Sequence, residues 1–153
     1  MKKLYTFALL SIAFLMVSCS RESDESTALS NEALVSLIKQ TEATDVDAAV
    51  SRINAQNFRL RMNSIAKNSL AGHGDMAVSY AMNSMLVKEY LNNDGEVTGY
   101  DVMYHSPADP NSSDGWLWAS YDANGDPTYD VNLRGANCNS CHGKENTLVL
   151  GNK

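Results

Sequence analysis

Behind Ser30, apolar residues recur at helical spacing. Leu34, Leu37 and Ile38 fall at i, i+3 and i+4, which predicts a short helix with Ser30 as N-cap and Glu32 in its first turn. Val46, Ala49, Val50 and Ile53 repeat that spacing and predict a second helix starting at Thr44 or Asp45. Through Phe58, Leu60, Met62 and Ile65 the pattern blurs but stays compatible with a helix, until Ala71-Gly72-His73-Gly74-Asp75 ends it. Arg59 and Arg61 read as a solvated face of this segment.

After Gly74 the pattern changes to that of strands. Met85–Leu91 is the first clear strand, Asn92-Asn93-Asp94-Gly95 is a hairpin turn, and Glu96 to Tyr104 is the returning strand. A loop rich in Pro, Asp, Asn and Ser runs from His105 to Gly115. Trp116 to Tyr121 is a third strand with Trp116 and Trp118 on one face. Asn124-Gly125 marks another turn, and Pro127 to Val131 predicts a fourth strand, placed at a sheet edge by its proline. The expected fold is α+β: a mainly antiparallel sheet packed on two N-terminal helices.

The first eighteen residues stand outside this fold. Lys2 and Lys3 precede an apolar run from Leu4 to Val17, too short to span a bilayer comfortably, which reads as a secretory leader. It ends in Met16-Val17-Ser18-Cys19-Ser20, which resembles a bacterial lipobox and implies cleavage before Cys19 with lipid on its thiol; ordinary cleavage leaving Cys19 as a thiol is the alternative. The resulting division is 1–18 leader, 19–28 flexible tether and 29–153 a single domain. The expected location is exported and lipid-anchored, on the periplasmic side or at the outer membrane. With a formal charge of −6, the chain has no affinity for nucleic acid, and its membrane contact would be the acyl chain alone.

The candidate chemistry lies near the C-terminus, in Cys138-Asn139-Ser140-Cys141-His142. Cys-x-x-Cys-His is the attachment signature of a c-type haem. Two thiols three residues apart can each bond one vinyl group, and the adjoining histidine is held under the iron as its ligand. A zinc site would need a second ligand pair, and only His73 and His105 remain outside the motif. A thioredoxin-like redox pair would sit early in a βαβ unit. The three cysteines are then all used, Cys19 by lipid and Cys138 and Cys141 by haem. Export agrees with this, since bacterial c-type attachment takes place outside the cytoplasmic membrane.

Only the eleven residues to Lys153 follow His142, so any sixth iron ligand comes from upstream or the position is open. Met76, Met82, Met85, Met103, His73 and His105 are available; the methionines read first as core residues and the histidines as loop residues. An open position favours ligand binding or catalysis over plain electron transfer.

Leu86-Val87-Lys88-Glu89, Gly99-Tyr100, Val102-Met103, Gly115-Trp116-Leu117-Trp118-Ala119 and Asn137 to His142 occur in an order that resembles the cytochrome P-460 family, including the β-sheet cytochromes c′-beta. The likeness covers about residues 76 to 148. It implies a mainly antiparallel β fold with one covalent haem c, five-coordinate through His142. It also implies that Lys88 matches the lysine that hydroxylamine-oxidising members cross-link to the macrocycle; a solvent-facing strand lysine is the alternative. Hydroxylamine oxidation also wants a group to move protons. The place to look is Val131-Asn132-Leu133-Arg134, which offers an apolar residue, with Asp126 and Asp130 nearby. The readings that follow are hydroxylamine oxidation or nitric oxide handling, non-catalytic nitric oxide binding, and six-coordinate electron transfer. Partners would be a small diatomic or nitrogenous ligand, a redox protein and, as family members often pair, a second copy of the chain.

Overall fold

The computed structural model describes residues 27–44, 57–71 and 79–142. The leader, Cys19, most of the tether, the predicted helix beyond Thr44, His73 and Met76 lie outside the described residues.

Six antiparallel strands lie side by side in chain order: β1 (Glu42–Ala43), β2 (Asn57–Met62), β3 (Met85–Leu91), β4 (Val97–His105), β5 (Trp116–Asp122) and β6 (Pro127–Tyr129). Helix α1 (Asn31–Ile38) precedes them and α2 (Ser64–Leu70) lies between β2 and β3. A 3-10 turn (Val131–Leu133) and α3 (Asn139–His142) close the described chain. The α+β expectation therefore holds for the antiparallel sheet and for the first helix, while α2 lies between β2 and β3 rather than ahead of the sheet. Both edges are very short strands, which limits the open backbone available for pairing with another chain.

The turns form where the sequence asked for them. In the β3–β4 turn Asn92 Oδ1 accepts from the backbone of Asp94 (2.9 Å) and Glu96 (2.8 Å), with Gly95 at φ +81°. Asp122 Oδ1 does the same for Asn124 (2.8 Å) and Asp126 (3.0 Å) before β6. Helix α1 starts on Ser30, whose Oγ accepts from Ala33 N–H, as its sequence predicts. Asn63 caps α2 and also ties it to the sheet: its Oδ1 accepts from Ala66 (2.9 Å) and Met85 (3.1 Å), and its Nδ2 donates to Asn83 O.

The β2 stretch differs from expectation in two respects. Residues 57–62 are strand, not helix. Phe58, Leu60 and Met62 alternate with Arg59 and Arg61, and that period of two is satisfied by pairing with Leu86 through Leu91 of β3. Nor is the arginine pair a solvated face. Glu89, 3% exposed, is clasped by Arg59 through Nε and Nη2, and Arg61 Nη1 lies 3.5 Å from its other oxygen. Arg61 also donates to Thr41 Oγ1 (3.0 Å) and Thr41 O (2.6 Å), fastening the end of α1 to β2.

Both faces of the sheet are covered, and this divides the core. Met85, Val87, Val102, Tyr104, Leu117, Ala119 and Tyr121 pack with Leu34 and Ile38 of α1 and with Val131. On the opposite face Met62, Leu86, Trp116 and Trp118 pack with Ala66 of α2 and with Tyr80. Cover on both sides explains why Met85-Leu86-Val87 and Trp116-Leu117-Trp118-Ala119 are continuously buried rather than alternating.

Candidate functional site

The second face carries the candidate site. Directly paired residues of antiparallel strands point to the same side. The registers Leu60↔Lys88, Lys88↔Asp101 and Asp101↔Ser120 therefore make one row across β2, β3, β4 and β5. The next row runs Met62, Leu86, Met103, Trp118. Phe58 and Tyr90 flank the first row on its other side.

The Cys-x-x-Cys-His segment docks onto this face. After the 3-10 turn, Arg134 and Gly135 both take left-handed backbone, at φ +54° and +66°. Gly135 O accepts from Cys138 N–H (2.9 Å) and Asn139 N–H (3.0 Å), which starts α3. A Cβ on Gly135 would meet Trp118 Nε1 at 2.8 Å and Cδ1 closer still, so only glycine lets the chain lie flat on the indole. Cys138 packs against the apolar cluster and the His142 ring rests 5.1 Å from that of Trp118. His142 N–H bonds to Cys138 O at 3.1 Å, one helical turn that sets residues 138 and 142 on the same side. Asn139 Nδ2 donates to Ser113 Oγ at 2.7 Å, fixing the segment to the loop before β5.

Lys88 is not simply solvent-facing. Its Nζ lies 4.7 Å from the Phe58 ring centroid and 4.6 Å from that of Tyr90, a pair of cation–π contacts. Asp101 accepts from Tyr90 Oη and, at 2.7 Å, from Ser120 Oγ. Partial burial holds the His142 pKa below its usual value; Asp101 pulls it up and Lys88 pushes it down. Both charges are therefore close enough to the ring to be felt. Burial drives the Tyr90 hydroxyl upward, and its bond to Asp101 adds to that.

Other expected residues are dispersed. Met85 faces the α1 side, Met82 is exposed, and Met103 and His105 belong to the site face. The His105 ring packs on Trp116 at 4.8 Å. Val131 packs on the α1 side and Leu133 is half exposed, so the stretch searched for a proton-handling group does not line this face. Asp130 caps the 3-10 turn and Asp126 belongs to the β5–β6 turn. Asp101 is a carboxylate on the site face, placed beside Lys88 and Ser120 by strand register rather than by any local sequence signal.

A flat, largely apolar group with a liganded metal fits this face. Met62, Leu86, Trp116 and Trp118 are buried with Ala66 of α2 and Tyr80, and the partly buried Leu60, Met103 and Tyr129 pack against them together with Cys138. Trp118 Nε1 and Tyr80 Oη are buried polar atoms with no protein partner, the kind of group a ligand or ordered water satisfies. Burial pushes the Tyr80 hydroxyl up to about 12, so it stays protonated as a donor. Among the described residues no cluster of three or more His, Cys, Asp or Glu side chains could hold a bare metal ion. The chain matches no protein-family model, no curated protein and no solved structure at significant similarity.

Proposed function

We propose that this chain is an exported, lipid-anchored mono-haem c-type cytochrome of the cytochrome P-460 kind, with an open iron position that handles small nitrogen species. The observation that carries the reading is a convergence. The Cys-x-x-Cys-His turn lies, through Trp118, on the sheet face that also holds Lys88 and Asp101. In the sequence, fifty residues separate Lys88 from Cys138.

In this reading Cys138 and Cys141 bind the haem covalently, His142 ligates its iron, and the haem supplies the redox-active, ligand-binding centre. The protein's part is to present imidazole on a fixed indole, to exclude water with the Trp116–Trp118 surface, and to set Lys88 and Asp101 over the same region. Replacing Cys138 or Cys141 with Ala should each abolish covalent haem. Haem staining that persisted on denaturing gels of both variants would remove the attachment claim.

The Lys88 cage favours a second reading. Lys88 Nζ is seated against the rings of Phe58 and Tyr90, which supports nitric oxide binding without a cross-link over hydroxylamine oxidation. The reduced optical spectrum separates the two: a strongly red-shifted, abnormal Soret band means a cross-linked macrocycle, and an ordinary high-spin band means none. A sharp six-coordinate low-spin spectrum would instead turn the reading to an electron carrier. For the anchor, Cys19→Ala should move the protein from the membrane to the soluble fraction; unchanged fractionation with continued acyl labelling would refute lipidation at Cys19.

A further inference from the structure

The attachment signature prescribes two thiols and a histidine and leaves the residues between the thiols open, but in this chain the first of them, Asn139, is engaged. Its Nδ2 donates to Ser113 Oγ at 2.7 Å, across 26 residues of chain. Ser113 is a fixed point. Its N–H donates to Trp116 O (2.8 Å) and its carbonyl accepts from Trp116 N–H (3.0 Å), with Asp114 and Gly115 between them at φ +51° and +86°. Two successive left-handed residues closed by a pair of backbone bonds make a tight hairpin turn, and Asp-Gly is the sequence such a turn favours. The turn fastens Ser113 to the first residue of β5. The rest of the loop from β4 is braced as well. Ser106 N–H bonds to Gly115 O at 2.9 Å. The buried Asp109 carboxylate accepts from Asn111 N–H and, across 80 residues of chain, from Leu29 N–H, each at 2.8 Å.

We propose that Asn139 and Ser113 are positioning residues for haem attachment: together they clasp the Cys138–His142 segment to the sheet before haem is bound, so that the segment is already seated when haem arrives. The inference rests on the haem reading above for what the segment receives. Its physical basis is the size of the segment. Helix α3 has four residues, Asn139–His142, and a helix that short does not hold itself in water. Its backbone bonds to Gly135 O and Cys138 O close about one turn. Apolar contact with Trp118 is non-directional, whereas a hydrogen bond from the first helical residue to a braced loop fixes the rotation of that turn about its axis. In attachment a thiol S–H adds across a vinyl C=C: sulfur bonds the inner carbon, the proton goes to the outer carbon, and no oxidant is consumed. The ordering of the segment is then met in folding rather than in that step, which is how preorganisation speeds a covalent reaction.

The test uses the full-length chain, unloaded with its thiols kept reduced, and then supplied with haem. In the unloaded chain, hydrogen exchange is followed at the amides of Cys138, Asn139 and His142, which report opening of the segment. Ser113→Ala and Asn139→Ala should each speed exchange there about two- to tenfold, as loss of one hydrogen bond implies, with the amides of β3 and β4 unchanged. The double variant should be no faster than either single one, since both remove the same bond. Ser113→Thr keeps the hydroxyl and should retain the wild-type rate. Covalent haem at limiting supply, read by stain and mass, should fall in both alanine variants and not in Ser113→Thr. Unchanged exchange, additive effects, or faster exchange with undiminished haem would each overturn the clasp and leave the haem reading standing. A wild-type chain that takes no covalent haem is a different failure: it removes the haem reading, and the attachment role falls with it.

Discussion

Gly135→Val should leave the protein folded in its sheet but largely without covalent haem. Two costs coincide at this residue. Its φ of +66° lies in the left-handed region, which costs a β-branched side chain roughly 1–2 kcal/mol or more. The new Cβ would also fall inside the Trp118 indole, whose ring is only 5% exposed and packed on the sheet. Trp118 has little room to yield, so the segment must lift, taking Cys138 and His142 with it. The measurement is haem stain per unit of protein, together with far-ultraviolet circular dichroism. Trp118→Leu in the same chain should relieve the steric part and restore some haem while the backbone cost stays. A variant with normal haem content would mean that the segment does not need to lie on Trp118.

Glu89→Ala should cost the fold about 2–4 kcal/mol, judged by the loss on breaking a buried ion pair and discounted for the exposure of its partners. The carboxylate is 3% exposed, whereas Arg59 and Arg61 are 43% and 23% exposed. Removing it leaves two adjacent guanidinium groups facing each other on β2 with their shared counter-charge gone. Arg61 is the more harmed of the two, because its other bonds to Thr41 hold it in place beneath the surface. Chemical denaturation of the wild type and the variant measures the difference. Arg59→Ala in the same background separates loss of the pair from repulsion between arginines, and should recover part of the stability. A midpoint within experimental scatter of the wild type would mean that the cluster is a surface pair after all.

Much of the sheet was legible because β3, β4 and β5 carry strong apolar runs between turns with a chemical signature. The turns read at Asn92-Asn93-Asp94-Gly95 and Asn124-Gly125 form as such, with Asn92 and Asp122 each gathering two backbone N–H groups with one oxygen. The β2 strand was not legible because Phe58, Leu60, Met62 and Ile65 permit either period locally. Its pairing with β3 settles the matter, and that partner lies more than twenty residues away. Glu89 illustrates the same limit: a charged residue in a strand reads as solvent-facing until the arginines that neutralise it are placed opposite. In the site, the Cys-x-x-Cys-His motif and Lys88 could be named from the sequence. Asp101 could not, since its meaning comes from register: it stands between Lys88 and Ser120, and no local pattern marks it.

The order of the strands has a consequence for how the molecule is made. Each strand pairs only with its predecessor and its successor in the chain, so sheet growth joins strands adjacent in sequence, across α2 from β2 to β3 and through short connections from β3 onward. Such a topology has low contact order and assembles quickly for a β-rich chain. The Cys138–His142 segment follows all six strands. A chain that emerges from its N-terminus, as in export, thus completes the Trp116–Trp118 platform before the thiols arrive. Under the proposed haem reading, attachment would then take place on a finished surface, with the cysteines spending little time beside unfolded chain.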